Sequence, residues 1–250
     1  MDLNYMQKKN DEIKFWDKVA QERIYAAFSE REYNEIFDAN LNGIKNKDVL
    51  DIGCASGLSS IILSRRCFRV KGMDISPKLI EQANRLWKNE ANQPEFFVGD
   101  AEKIPKDSEL YDVCFLGGVI HHFPDYQRVI NEILRVLKKG GILLMIEPNR
   151  LDIIERISWF FAGCLKLLSP NEYPVSPIKM IRKLEDNFTD FKVYPFRKDD
   201  IPFFSFIPLI GKFFKGGKGK SIKKIPLTLL NLFRPELHRG NFFVLSCIKK

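Results

Sequence analysis

The sequence predicts an α/β fold: a doubly wound, mostly parallel, seven-stranded sheet with helices on both faces. Three observations carry that prediction. From residue 47 onward, short β-rich runs alternate with segments of helical periodicity, the pattern of strand–helix–strand crossovers. An acid or a glycine closes successive β-rich runs, at the carboxyl ends where such a sheet binds its ligand. A chain of 250 residues with 45% apolar composition is long enough to bury one large core.

The elements follow in order. Residues 11–40 set Ile13, Phe15, Trp16, Val19, Ile24, Ala27, Phe28, Ile36 and Phe37 at mostly helical spacing between charges, which predicts one or two amphipathic helices leading into the core. DVLDIG (48–53) is the first strand, and a short helix follows Gly57 through Ile61, Ile62 and Leu63. FRVKGMDI (68–75) is the second strand. Ser76 and Pro77 then supply an N-cap and a first-turn proline to a helix whose apolar side is Leu79, Ile80, Ala83 and Leu86. EFFVGD (95–100) and YDVCFLGG (111–118) are the third and fourth strands. DYQRVINEILRVLKKGG (125–141) gives the clearest helix, with Val129, Ile130, Ile133, Leu134 and Leu137 on one side, lysines in the last turn and Gly140 after it. ILLMIEPN (142–149) is the fifth strand. Two helices (within 151–169 and 176–188) and two strands, FKVYPF (191–196) and NFFVLSCIKK (241–250), complete the chain. One domain is expected: residues 1–46 as leading helices, 47–149 as the ligand-binding core, and 150–250 as a second half with an apolar, basic insert at 197–240.

Composition excludes several classes. The five cysteines are dispersed without a C-x-x-C pair, so neither a disulfide framework nor a zinc site is indicated, and no metal is expected. The first residues carry charges where a signal peptide needs an apolar core, and no apolar run approaches the roughly 20 residues of a membrane span. The expected location is cytoplasmic. The net charge of +8 is concentrated: from residue 201 onward ten basic residues face the single acid Glu236, which leaves the first 200 residues at −1.

The stretch KDVLDIGCASGLSS (47–60) holds the sharpest clue. Gly53, Ala55 and Gly57 miss the G-x-G-x-x-G spacing of a dinucleotide site, and no G-K-[ST] follows. Asp51 beside the turn is electrostatically wrong for a pyrophosphate on the next helix N-terminus. Asp74 and Asp100 end the next two strands. The ligand should therefore carry positive charge and hydroxyls, and no phosphate. S-adenosylmethionine meets those demands with an ammonium, a sulfonium, a ribose diol and an adenine.

The pieces VLDIGCASG, GMDIS, VGDAEKIP, LYDVCFLGGVIHHFPD and LKKGGILLMIEPN, in this order and spacing, resemble class I S-adenosylmethionine-dependent methyltransferases, a group that includes quinone-biosynthesis enzymes. The resemblance covers residues 47–149. It implies a Rossmann-like methyltransferase fold and S-adenosylmethionine as cofactor. It places Asp51 at the methionine ammonium, partly through water, and Gly53, Ala55 and Gly57 in the turn the cofactor lies against. Asp74, with Ile75, belongs to the ribose, Asp100 and Ala101 to the adenine, and Gly117 to the methionine part. The family usually has glycine where this chain has Ala55, a departure that matters only if the position requires positive φ.

The acceptor is less legible. Methyl transfer mainly needs positioning and exclusion of water, with a base only when the acceptor must lose a proton. His121 is the first candidate base, followed by His122 and Glu147; packing is the competing reading for both histidines. Such proteins build lid and acceptor pocket from the leading helices and the region around 151–180, where Trp16, Trp159, Phe160, Phe161 and Tyr173 favour an apolar or lipid-linked small acceptor or, alternatively, form ordinary core. Residues 201–224 combine bulky apolar side chains with six lysines, which suits peripheral attachment to an anionic membrane surface and equally a solvated loop. Two alternatives remain open: an RNA or DNA methyltransferase, motivated by the basic segment but lacking N/D-P-P-Y at the fourth strand, and a non-catalytic binder of S-adenosylmethionine.

Overall fold

The computed structural model describes residues 3–66, 68–164, 168–169, 172–197 and 240–250. The segment 201–224 lies outside the described residues. Two leading helices, α1 (Leu3–Glu22) and α2 (Glu30–Leu41), precede β1 (Asp48–Ile52), α3 (Leu58–Arg65), β2 (Arg69–Asp74), α4 (Pro77–Trp87), β3 (Glu95–Val98) and β4 (Tyr111–Gly117). Then come a 3-10 turn (Ile120–His122), α5 (Gln127–Val136), β5 (Leu137–Pro148), α6 (Ile153–Cys164), α7 (Pro177–Leu184), β6 (Phe188–Phe196) and β7 (Phe242–Lys249).

The seven strands of the described residues form one sheet in the order β3-β2-β1-β4-β5-β7-β6. Strands β1 to β5 pair in parallel, and β7 runs antiparallel between β5 and β6. Strand order reverses between β1 and β4, so the crevice at their carboxyl ends is the topological switch point.

Side-chain alternation divides the core. Leu50 and Ile52 of β1 share one face with Cys114 and Leu116 of β4, covered by Val129, Ile130 and Ile133 of α5 and Met180, Ile181 and Leu184 of α7. Val49, Val113 and Phe115 point the other way, under Ile36 and Phe37 of α2 and Ile61 and Leu63 of α3. Asp51 alternates with Leu50 and Ile52, so it falls on the α2/α3 face. The N-caps form as the sequence indicates: the Ser76 hydroxyl accepts from Leu79 N–H ahead of α4, and Ser29 and Glu32 close a capping box on α2.

Some boundaries differ from expectation: α7 stops at Leu184, β6 begins at Phe188, and α5 is shorter than its periodicity suggests. Helix α5 ends at Val136, and Leu137, extended at φ −79° and ψ 132°, already belongs to β5. The lysines do not form a last helical turn. Lys138 instead pairs with Asp112 at 3.0 Å and Asp48 at 3.5 Å on neighbouring strands, while Gly140 turns the chain at φ +72° within a break in the β4–β5 register.

Candidate active site

A cavity of about 360 Å³ opens where β1, β2 and β4 end, with Tyr5, Lys9, Glu12 and Trp16 of α1 forming part of its wall. That size lies in the ordinary range for small-molecule sites. Gly53, Ala55, Asp74, Ile75, Ala101, Gly117 and His122 all line it. Asp51, Gly57, Asp100 and His121 are not on its wall.

The turn after β1 needs three left-handed residues: Gly53 at φ +71°, Ala55 at φ +49° and Gly57 at φ +85°. The positive φ at Ala55 is the condition under which a side chain there is strained. The glycines also have a packing reason that the sequence does not reveal. A Cβ on Gly53 would stand 2.4 Å from Val119 Cγ2, and one on Gly57 would stand 2.7 Å from Phe96 Cζ. Neighbouring side chains, and not only a ligand, exclude them.

Asp74 fastens this turn. Its Oδ2 accepts from Ala55 N–H at 2.9 Å and its Oδ1 from Ser76 N–H at 3.0 Å. Burial, resisted by these amide donors, lifts its carboxyl to about 6. Facing the cavity, it keeps lone pairs for further donors.

Asp51 lies beneath the turn. Ser59 and Ser60 hydroxyls both donate to its Oδ2 at 2.6 Å. Its Oδ1 is buried without a hydrogen-bond partner, and burial lifts the carboxyl to about 6. An orphaned buried acceptor is uncommon in folded proteins. Asp100 is already engaged: its Oδ1 accepts from Glu102 N–H at 2.9 Å and its Oδ2 from the Lys9 ammonium, which also reaches Glu102 Oε2 at 3.0 Å.

The two histidines are separated by their surroundings. His121 turns inward, with Nδ1 2.9 Å from Glu147 Oε2 and its ring edge-on to Trp159 at 5.6 Å. Glu147 also accepts the backbone N–H groups of Val119, Ile120 and His121 at 3.0, 2.8 and 3.3 Å. Burial lifts Glu147 to about 8 and pushes His121 down to about 3, so His121 is a neutral imidazole at neutral pH and serves as a strut under the turn. His122, whose ring burial holds well below the ordinary imidazole value, is the histidine on the cavity wall. Its Nδ1 lies 3.1 Å from Ser169 Oγ.

Of the aromatic residues expected around the acceptor, Trp16 lines the cavity, joined by Tyr25, Tyr33 and Phe123, which the sequence did not single out. Trp159 is spent on His121 and Glu155, and Phe160 is exposed. Tyr173 is off the cavity wall, and the Phe161 side chain is outside the described set. Among the described residues no helix is long and apolar enough to cross a membrane.

Residues 50–145 match a family model described as a methyltransferase domain. These residues form a methyltransferase domain. The domain is 35% identical over 111 residues to a ubiquinone biosynthesis O-methyltransferase of Coxiella burnetii, covering 43% of this chain and 46% of that protein. It is 36% identical over 105 residues to a demethylmenaquinone methyltransferase of Lactococcus lactis, covering 40% and 42%. The chain thus spans less than half the length of these curated relatives. Among solved structures, a SAM-dependent methyltransferase from Thermotoga maritima superposes with a TM-score of 0.64 at 18% identity, covering 96% of this chain and 95% of that one. A phosphoethanolamine N-methyltransferase of Haemonchus contortus, in complex with S-adenosyl-L-methionine, superposes at 0.60 and 18% identity, covering 88% and 52%. S-adenosylmethionine is the cofactor that the sequence motifs imply. The residues fit it: Asp74 on the cavity wall keeps lone pairs that suit a diol, and behind the turn Asp51 holds a buried acceptor without a hydrogen-bond partner.

Proposed function

We propose that the protein transfers a methyl group to a small lipophilic acceptor bearing an ionisable hydroxyl. The observation that carries this reading is the convergence of Asp74, the left-handed turn and His122 on one cavity partly walled by aromatic rings. The names of the quinone-biosynthesis relatives support the acceptor class. When bound, S-adenosylmethionine supplies an electrophilic methyl on a sulfonium. Asp74 takes the ribose hydroxyls, Asp51 the ammonium, Asp100 and the Ala101 backbone the adenine, with Lys9 shifting its pairing to Glu102. Gly117 leaves room beside the methionine part. His122 accepts the acceptor's proton, while Trp16, Tyr25 and Phe123 hold the ring and exclude water. His121 positions this wall through Glu147.

The membrane part of the reading is that residues 201–224 hold the enzyme at an anionic lipid surface where lipophilic acceptors collect; it rests on their composition alone. The test pairs calorimetric binding of S-adenosylhomocysteine with its formation from S-adenosylmethionine across hydroquinones and catechols with and without prenyl tails. Binding with turnover on the tailed compounds is expected. Binding without product on any acceptor would instead establish a non-catalytic cofactor binder.

A further inference from the structure

His122 sits in a polar network that none of its sequence neighbours supplies. Ser169, 47 residues further on, places its Oγ 3.1 Å from His122 Nδ1. The same Oγ donates to Oε1 of Glu12, on α1, at 2.9 Å. Ser169 N–H donates to Glu172 Oε1 at 3.0 Å. Two carboxylate oxygens therefore approach His122 Nδ1 without bonding it, Glu12 Oε2 at 3.7 Å and Glu172 Oε1 at 3.8 Å. The other groups facing the ring are Trp16, edge-on at 5.5 Å, and the neutral His121 ring at 4.2 Å.

A hydroxyl has one hydrogen. Because Ser169 gives its hydrogen to Glu12, only its lone pairs remain for His122. The imidazole must then carry its proton on Nδ1 and leave Nε2 bare, the reverse of what an unconstrained neutral imidazole prefers. We infer that Ser169, oriented by Glu12 of the roofing helix, fixes His122 in the Nδ1–H tautomer and so makes Nε2 a proton acceptor. The inference rests on the proposed role of His122 toward the acceptor. In that step the acceptor O–H bond breaks with its pair left on oxygen, and an N–H bond forms at Nε2. The imidazolium that results faces Glu12 and Glu172, whose charges offset the cost of burying it. Ser169 and Glu12 are positioning residues. They also tie the base to α1, since lifting that helix removes the acceptor that orients Ser169.

The test is nitrogen-15 NMR on histidine-labelled protein, in which only three imidazoles occur, at 121, 122 and 238. His122 is assigned by loss of its signals in His122→Gln. Long-range proton–nitrogen correlations distinguish a protonated Nδ1 from a protonated Nε2. The expected result is Nδ1–H for His122 in the wild type, reversal toward Nε2–H in Ser169→Ala, and restoration in Ser169→Thr. Nε2–H in the wild type, or an unchanged Nδ1–H in Ser169→Ala, would overturn the inference. Calorimetry with S-adenosylhomocysteine runs beside it: wild-type protein that does not bind this compound would defeat the proposed function whatever the tautomer.

Discussion

Gly53 and Ala55 stand two residues apart in one turn, both at positive φ, and moving a methyl group at each should act in opposite directions. At Gly53, alanine meets two costs. Left-handed backbone costs a side chain about 1–2 kcal/mol, and a Cβ placed 2.4 Å from Val119 Cγ2 adds an overpacking cost of about 1–3 kcal/mol. Gly53→Ala should therefore destabilise by about 2–5 kcal/mol. Because Val119 lines the cavity, its displacement should also weaken S-adenosylhomocysteine binding by more than about tenfold, equivalent to about 1.4 kcal/mol. At Ala55 the strain is already present. Ala55→Gly recovers about 1–2 kcal/mol of backbone strain and loses about 0.4–1 kcal/mol to the freer unfolded chain. The net is a gain of up to about 1.5 kcal/mol, with the Ala55 N–H still available to Asp74. Urea unfolding of both variants, ligand-free at pH 7, measures the difference, with calorimetry for binding. The reasoning fails if Gly53→Ala lies within about 1 kcal/mol of wild type, or if Ala55→Gly is less stable than wild type by more than about 1 kcal/mol.

Asp51 and Asp74 are each raised from 3.8 to about 6 by burial, so the folded chain holds protons that the unfolded chain releases. Their contribution to stability is complete below pH 3.8 and is lost as pH rises through about 6, on the order of 3 kcal/mol each before relaxation. Asp51→Asn should consequently stabilise the ligand-free protein at pH 7 and flatten its pH profile between 4 and 7, while weakening binding of the ammonium-bearing S-adenosylhomocysteine; unchanged stability with unchanged affinity would contradict both roles given to Asp51. The lipid-surface reading of residues 201–224 predicts co-sedimentation with phosphatidylserine vesicles at low salt, lost when Lys212, Lys215, Lys218, Lys220, Lys223 and Lys224 are all changed to glutamine. Wild-type protein left in the supernatant at low salt would end that reading.

The parallel part of the sheet was legible because β1 to β5 are apolar runs with an acid or glycine at their carboxyl ends, and because Ser76-Pro77 and Ser176-Pro177 announce their helices. Asp74, Ile75, Ala101 and Gly117 reach the cavity because they follow directly from strand ends. The end of α5 was obscured by Lys138 and Lys139, which look like a basic last turn; cross-strand acids that only the assembled sheet brings near hold Lys138 instead. The division of labour between His121 and His122 was hidden in a dipeptide, since periodicity cannot say which ring a 3-10 turn aims inward. Glu12 and Ser169 lie 157 residues apart and carry no local motif, so only the packed structure brings them together. Likewise the reason for glycine at 57 is an aromatic ring from β3, remote in sequence and invisible in the turn itself.

The roofing helix has a mechanical consequence. Val19 is the one buried apolar side chain among its described residues. Its polar ties are Lys9 to Asp100 and Glu102, Glu12 to Ser169, and Asp17 to the Ser76 hydroxyl at 2.5 Å and Lys78 N–H at 3.3 Å, and Trp16 adds ring contacts to Tyr25 and His122. Detaching it exchanges the polar bonds for hydration and exposes only Val19 and half-buried side chains such as Phe15 and Trp16, so the heat capacity and denaturant sensitivity of that opening should both be smaller than those of global unfolding. Amide exchange in α1 should then depend less on denaturant than that of the strands and be accelerated by salt, since exchange in the strands requires the whole sheet to unfold.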